Sequence, residues 1–117
     1  MDFKDNLKAN GIMVAALHAA QNAAEVQNDK LGPESTRGLD CGFAWVAFPG
    51  NSAFARFMKA NHPDMLSNGY PTGKQIWYSR LHSVPTQSVS VHEVACRAFA
   101  EVWKAHGVEL RVGSRLD

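Results

Sequence analysis

The stretch VHEVACRAFAEVWKAHGVELRVGSR, residues 91–115, decides the fold. Apolar residues Val91, Val94, Ala95, Ala98 and Val102 recur at helical spacing, so the first part predicts an amphipathic helix. Gly107 sits where a helix ends in a left-handed residue, and VELRVGSR after it alternates like a strand. A helix that feeds a strand at once runs back along the sheet. The strand before it, KQIWYSRL (residues 74–81), is therefore expected to lie parallel to the last strand, joined by a right-handed crossover. In such a unit the loop leaving the first strand lies over the helix N-terminus, where open sheets bind ligands.

Working toward the N-terminus, CGFAWVAF (41–48) reads as another strand. It is apolar on both alternating faces, which predicts an interior strand covered on both sides. PGNS turns the chain into a short helix, with Asn51 or Ser52 as N-cap and Phe54, Phe57 and Met58 as its buried face. NHPDMLSNGYPTG is a long loop, and TGK (72–74) within it is a turn, because it lacks the first glycine and the spacing of a phosphate loop. From Asp2 to Gln27 the chain reads as one long helix with two apolar stripes. One runs Phe3, Leu7, Val14, Leu17, Ala24; the other Ile12, Ala16, Ala19, Ala20, Ala23. Gly11 inside it costs about 1 kcal/mol against alanine, which close backbone packing would explain. Gly32-Pro33 stops it. The expected architecture is α+β: a long N-terminal helix (1–28), then β-α-β-α-β (40–117), a three-stranded mixed sheet packed by helices in one domain.

The 117 residues are 45% apolar and 20% charged, an ordinary globular composition. A net charge of +1 recruits neither long nucleic acid nor an anionic membrane. No apolar run approaches the roughly 20 residues that span a bilayer. The N-terminus MDFKDNLKANG lacks the basic-then-apolar order of a signal peptide. Two cysteines, Cys41 and Cys96, make neither a disulfide framework nor a metal pattern, so a reducing, intracellular location is the expectation. Five histidines show no paired zinc spacing; no metal or cofactor is expected.

RLHSVPTQSVSVHEVACRAF (80–99) places polar groups ahead of the helix. Ser90 and Glu93 fit a capping box. That leaves Arg80, Thr86, Gln87, Ser88 and His92 unaccounted for. At a helix N-terminus such groups suit a phosphate, with Arg115 folding back to help; equally, they can hydrogen-bond the loop to itself. Trp77 and Tyr78 are adjacent on a strand and point to opposite faces, so one is core and the other is placed to stack on a base. Trp45, Trp103 and Cys96 read as core. Glu101 and Glu109 read as solvated. Cys41 with His82 or His92 and Asp40 has the residue types of a thiol dyad or triad; a packed structural thiol is the simpler reading.

CGFAWV, the IW strand, TQS before HEVACRAF, and a terminal SRLD resemble a widespread family of small phage-encoded proteins. The resemblance covers roughly residues 40–117. It carries Cys41, Gly42, Phe43, Trp45, Trp77, Thr86, Gln87, Ser88, Glu93, Ser114, Arg115 and Asp117 by position, and departs where YSR stands in place of an expected NP. It implies a non-enzymatic homo-oligomer acting in the host cytoplasm, which agrees with the two apolar stripes of the first helix, through which assembly is expected in part. Its role would be to sequester a cyclic di- or trinucleotide immune signal and so disarm cyclic-oligonucleotide-based defence (CBASS). The candidate ligand-binding residues, from the reading of the loop and the strand before it, are Arg80, Thr86, Gln87, Ser88, His92, Trp77, Tyr78 and Arg115. Two other readings stand beside it: a thiol- or histidine-dependent enzyme acting on a nucleotide, and a protein that binds and inhibits a host factor.

Overall fold

The computed structural model describes residues 1–32, 41–69 and 73–116. Pro33, Asp40, Thr72 and Asp117 lie outside them, and with them the proline of the helix stop, the acid of the thiol triad, the start of TGK and the final aspartate. Helix α1 spans Asn6–Leu31. Asp5 caps it, its carboxylate accepting from the Lys8 N–H at 3.0 Å. Strand β1 (Gly42–Phe48), helix α2 (Ala53–Asn61), β2 (Ser67–Asn68), β3 (Lys74–Trp77), helix α3 (Val89–Lys104) and β4 (Arg111–Leu116) follow. Single-turn 3-10 segments at Pro63–Met65 and Tyr78–Arg80 fill two connections.

The strands form one sheet in the order β2-β3-β1-β4, and every pairing is antiparallel. The α+β class with a long N-terminal helix holds. The sheet has four strands rather than three because a two-residue strand, Ser67–Asn68, emerges from the loop read as NHPDMLSNGYPTG, and it is antiparallel rather than mixed because β1 separates β3 from β4. The crossover is also corrected. β3 and β4 both run against β1, so they do point the same way, but β1 lies between them and supplies the hydrogen bonds to both. The unit is a split β-α-β. KQIWYSRL is not strand throughout: it ends at Trp77, and Tyr78–Arg80 coils into a turn.

Gly107 ends α3 as expected. With φ at +81° it lets its own N–H reach Lys104 O at 3.0 Å and the Val108 N–H reach Trp103 O at 3.0 Å, the two bonds of a Schellman motif. Val108 is buried and seals that end. α2 is capped by Ser52, whose Oγ accepts from the Ala55 N–H at 3.1 Å. Its Phe54, Phe57 and Met58 point inward. They meet Phe3 and Trp103, with ring centroids 5.2 Å apart for Phe3–Phe57 and 5.0 Å for Phe54–Trp103. Trp103 and Cys96 are core, while Glu101 and Glu109 are exposed.

α1 packs along α3, and α3 packs on β1 and β4. Fully buried Ala9, Ala16, Ala20 and Ala24 form the contact face of α1. Small side chains allow close approach of two helices. Leu7 and Val14, members of the first apolar stripe, are exposed. Gly11 is exposed too, with nothing within 4 Å of the position a Cβ would take, so close packing within the chain does not explain it. β1 is interior to the sheet but covered on one face. Gly42, Ala44, Val46 and Phe48 are buried, whereas Phe43, Trp45 and Ala47 are half-buried on the other side. The helices supply one layer only, and the second face is left as a surface. No helix among the described residues is long and apolar enough to cross a membrane.

Candidate functional site

The residues expected to cradle a ligand separate into two groups on opposite sides of the sheet. Trp77 and Tyr78 point to opposite faces, as adjacent residues at a strand end should. On the inner side Tyr78 stacks on His92, with centroids 3.5 Å apart and planes 18° apart. His82 Nε2 lies 2.9 Å from His92 Nδ1, and the Val84 N–H donates to His82 Nδ1 at 3.1 Å. A backbone N–H can only donate, so His82 Nδ1 bears no proton, Nε2–H donates to His92, and both rings are neutral. Burial pushes the His82 pKa down.

The rest of the loop before α3 is bonded into the same structure. The Ser88 N–H donates to Thr86 Oγ1 at 3.1 Å, and the Ser88 and Ser90 hydroxyls lie 2.9 Å apart. Cys41 Sγ donates to Gln87 Oε1 at 3.1 Å, and the Gly42 N–H reaches Gln87 O at 3.1 Å. Ser88 and His92 are each only 1% exposed, so neither presents its side chain to a ligand from solvent. The capping box is corrected: α3 starts at Val89 with Ser88 at the N-cap, so Ser90 falls inside the first turn. Glu93 turns away, accepting from Ser114 Oγ at 2.9 Å and pairing with Arg97 at 3.2 Å, and so ties α3 to β4. Cys41 bonds an amide rather than an imidazole. Arg80 is exposed at the end of its turn.

The outer face holds Trp77 and Arg115 together with residues the sequence reading placed elsewhere. Register puts Gly113, Trp45 and Trp77 in one row across three strands, and Arg111, Ala47 and Gln75 in the next. Phe43 and Arg115 are neighbours in the row beyond, with the guanidinium carbon 5.8 Å from the ring centroid. The Trp45 and Trp77 centroids are 5.4 Å apart, and Phe43 meets Trp77 edge-on at 5.9 Å. A Cβ on Gly113 would stand 2.6 Å from Trp45 Cε2 and Nε1 and 2.7 Å from Cζ2. The Nε1–Cε2–Cζ2 edge of the indole thus packs directly over Gly113, in space that only a residue without a side chain leaves open.

Beside this platform an open groove of about 940 Å³ is lined by Trp45, Lys74, Gln75, Arg111 and Gly113, with Gly50 and Gly73 at one end. Its volume is that of a small-molecule site. Lys74 Nζ donates to Asn68 Oδ1 at 2.7 Å, which fixes the ammonium at the β2–β3 side. Arg111 is exposed on β4, across β1. No carboxylate, thiol or imidazole belongs to the described lining residues. An aromatic ring in a groove that also carries an exposed guanidinium is chemically a seat for a flat, anionic molecule.

Two signals in the sequence point to this face. Arg111, Gly113 and Arg115 are spaced by two, and so are Phe43, Trp45 and Ala47. Each triplet lies on one side of its strand. The chain matches no family model, and neither a curated protein nor a solved structure shows significant similarity to it.

Proposed function

We propose that this protein binds a small nucleotide on the outer face of its sheet and releases it unchanged. The observation that carries this reading is the groove beside Trp45 and the exposed Arg111, whose described lining holds no carboxylate. A base stacked on an indole contributes about 1–3 kcal/mol, and a charge-assisted hydrogen bond to a phosphate about 1.5–3 kcal/mol.

The phage resemblance gives this chemistry a biological form: a sponge in the host cytoplasm that holds a cyclic di- or trinucleotide signal away from CBASS effectors, working as a homo-oligomer assembled in part through α1. Sequestration requires binding without turnover, which suits a groove of this composition. The enzyme reading loses support because Cys41 is bonded to the Gln87 amide and His82 to His92.

The test is a thermal-shift screen against cyclic di- and trinucleotides, followed by denaturation of the complex and chromatography of the released ligand. A ligand that raises the melting temperature and is recovered intact is expected. Recovery of a linear or hydrolysed product would establish an enzyme instead.

A further inference from the structure

The groove beside Trp45 contains an amide whose orientation is fixed by the backbone. Gln75, Ala47 and Arg111 form one row across β3, β1 and β4, and all three line the groove. Two strand spacings of about 4.8 Å put Gln75 and Arg111 about 10 Å apart, on either side of the Ala47 methyl. Gln75 Nε2 donates to Asn68 O at 3.1 Å. A backbone carbonyl can only accept, so the amino end of the amide is held against β2 and Oε1 is the end left for a ligand. Oε1 accepts no bond from any described residue. It lies beside Gly69, 3.9 Å from where a Cβ on that residue would stand, and Gly69 lines the groove as well.

The other polar side chains of the lining differ from this one. Lys74 can only donate, and its Nζ is turned to Asn68 Oδ1 at 2.7 Å. Asn51 is exposed and its amide makes no bond among the described residues, so either end can turn to a ligand. Arg111 is exposed and donates only. The row therefore sets a fixed acceptor on one side of Ala47 and a cation on the other. We propose that Gln75 selects the base of the bound nucleotide. Its Oε1 accepts from an exocyclic amino group while Arg111 takes a phosphate, so the groove prefers adenine or cytosine to hypoxanthine or uracil. In the disfavoured bases a carbonyl oxygen stands where the amino group was, and two acceptors face each other. The amide cannot turn over to meet that oxygen without giving up the Asn68 carbonyl.

This rests on the reading of the groove as a nucleotide site and adds the bases it takes. Isothermal titration compares a cyclic diadenylate with the cyclic di-inosinate, in which a carbonyl replaces each amino group. Wild type should bind the adenine compound about tenfold tighter or more. Gln75→Leu, close in volume and without the amide, should bring the two affinities together. The readout is their ratio, so a general weakening of the site through loss of the Asn68 bond cancels. Equal affinities in wild type, no binding of the diadenylate where another cyclic nucleotide binds, or a preference that survives Gln75→Leu overturns selection by Gln75 and leaves the nucleotide site standing. If no cyclic di- or trinucleotide binds, the nucleotide site falls and the selection with it.

Discussion

Gly113→Ala is the smallest change that reaches the proposed site. The added Cβ would stand 2.6 Å from two atoms of the Trp45 indole, against an optimum of about 3.5–4.0 Å for two carbons. The ring therefore has to move by roughly 1 Å, and its neighbour Trp77, with centroid 5.4 Å away, limits where it can go. Overpacking of this kind costs about 1–3 kcal/mol, while replacing a strand glycine by alanine returns about 0.5–1 kcal/mol. A net loss of about 0–2.5 kcal/mol is expected, a melting-temperature drop of up to roughly 10 °C for a chain this size. The tryptophan emission should shift as the indole lifts from the strand. In a Trp45→Val background the same substitution should be neutral or stabilising, since nothing is left to collide with. Thermal melts of the four proteins in that double-mutant cycle check it. Additivity, with Gly113→Ala equally costly with and without the indole, would refute the packing of Trp45 on Gly113.

Three further outcomes follow from the packing. Gly42→Ala should be far more damaging than Gly113→Ala, because its Cβ meets the Arg115 backbone carbonyl, which cannot swing aside; urea unfolding should show a loss of about 3 kcal/mol or more, and a loss below that of Gly113→Ala would contradict the β1–β4 register. Burial lowers the His82 pKa below the ordinary 6.5, so below about that pH the unfolded chain binds a proton the folded chain resists; stability should be level above it and fall with pH through the interval down to the folded value, and melts that show no such slope would contradict the neutral His82–His92 pair. Cys41→Ser keeps a donor for Gln87 Oε1, so stability should change by less than about 1 kcal/mol and ligand affinity by no more than a few-fold; abolished function in a folded protein would instead favour a reactive thiol.

Local chemistry was legible where one segment determines it. The glycine end of α3, the serine start of α2 and its phenylalanine face, and the opposition of Trp77 and Tyr78 all follow from spacing within a few residues. The partners of β1 were not legible, because strand order is settled by contacts far apart in sequence. Consecutive β3 and β4 look like neighbours until β1 is placed between them. The capping box failed for a smaller reason. Ser88 and Ser90 carry the same group two residues apart, and Ser114, supplied by β4, draws Glu93 away from the helix start. The aromatic row on the outer face was not legible because a strand apolar on both faces reads as covered on both, whereas here the second face of β1 is only half-buried. That Gly113 makes room for an indole can be seen only in three dimensions.

The central claim is tested most directly by isothermal titration of a cyclic nucleotide identified in the screen into wild type, Trp45→Ala, Arg111→Ala and Arg80→Ala. Loss of the Arg111 guanidinium should weaken binding roughly 10- to 150-fold, the equivalent of about 1.5–3 kcal/mol, with a comparable loss for Trp45→Ala and little change for Arg80→Ala. Wild-type affinity in Trp45→Ala and Arg111→Ala, with loss confined to Arg80→Ala, would move the site back to the loop before α3.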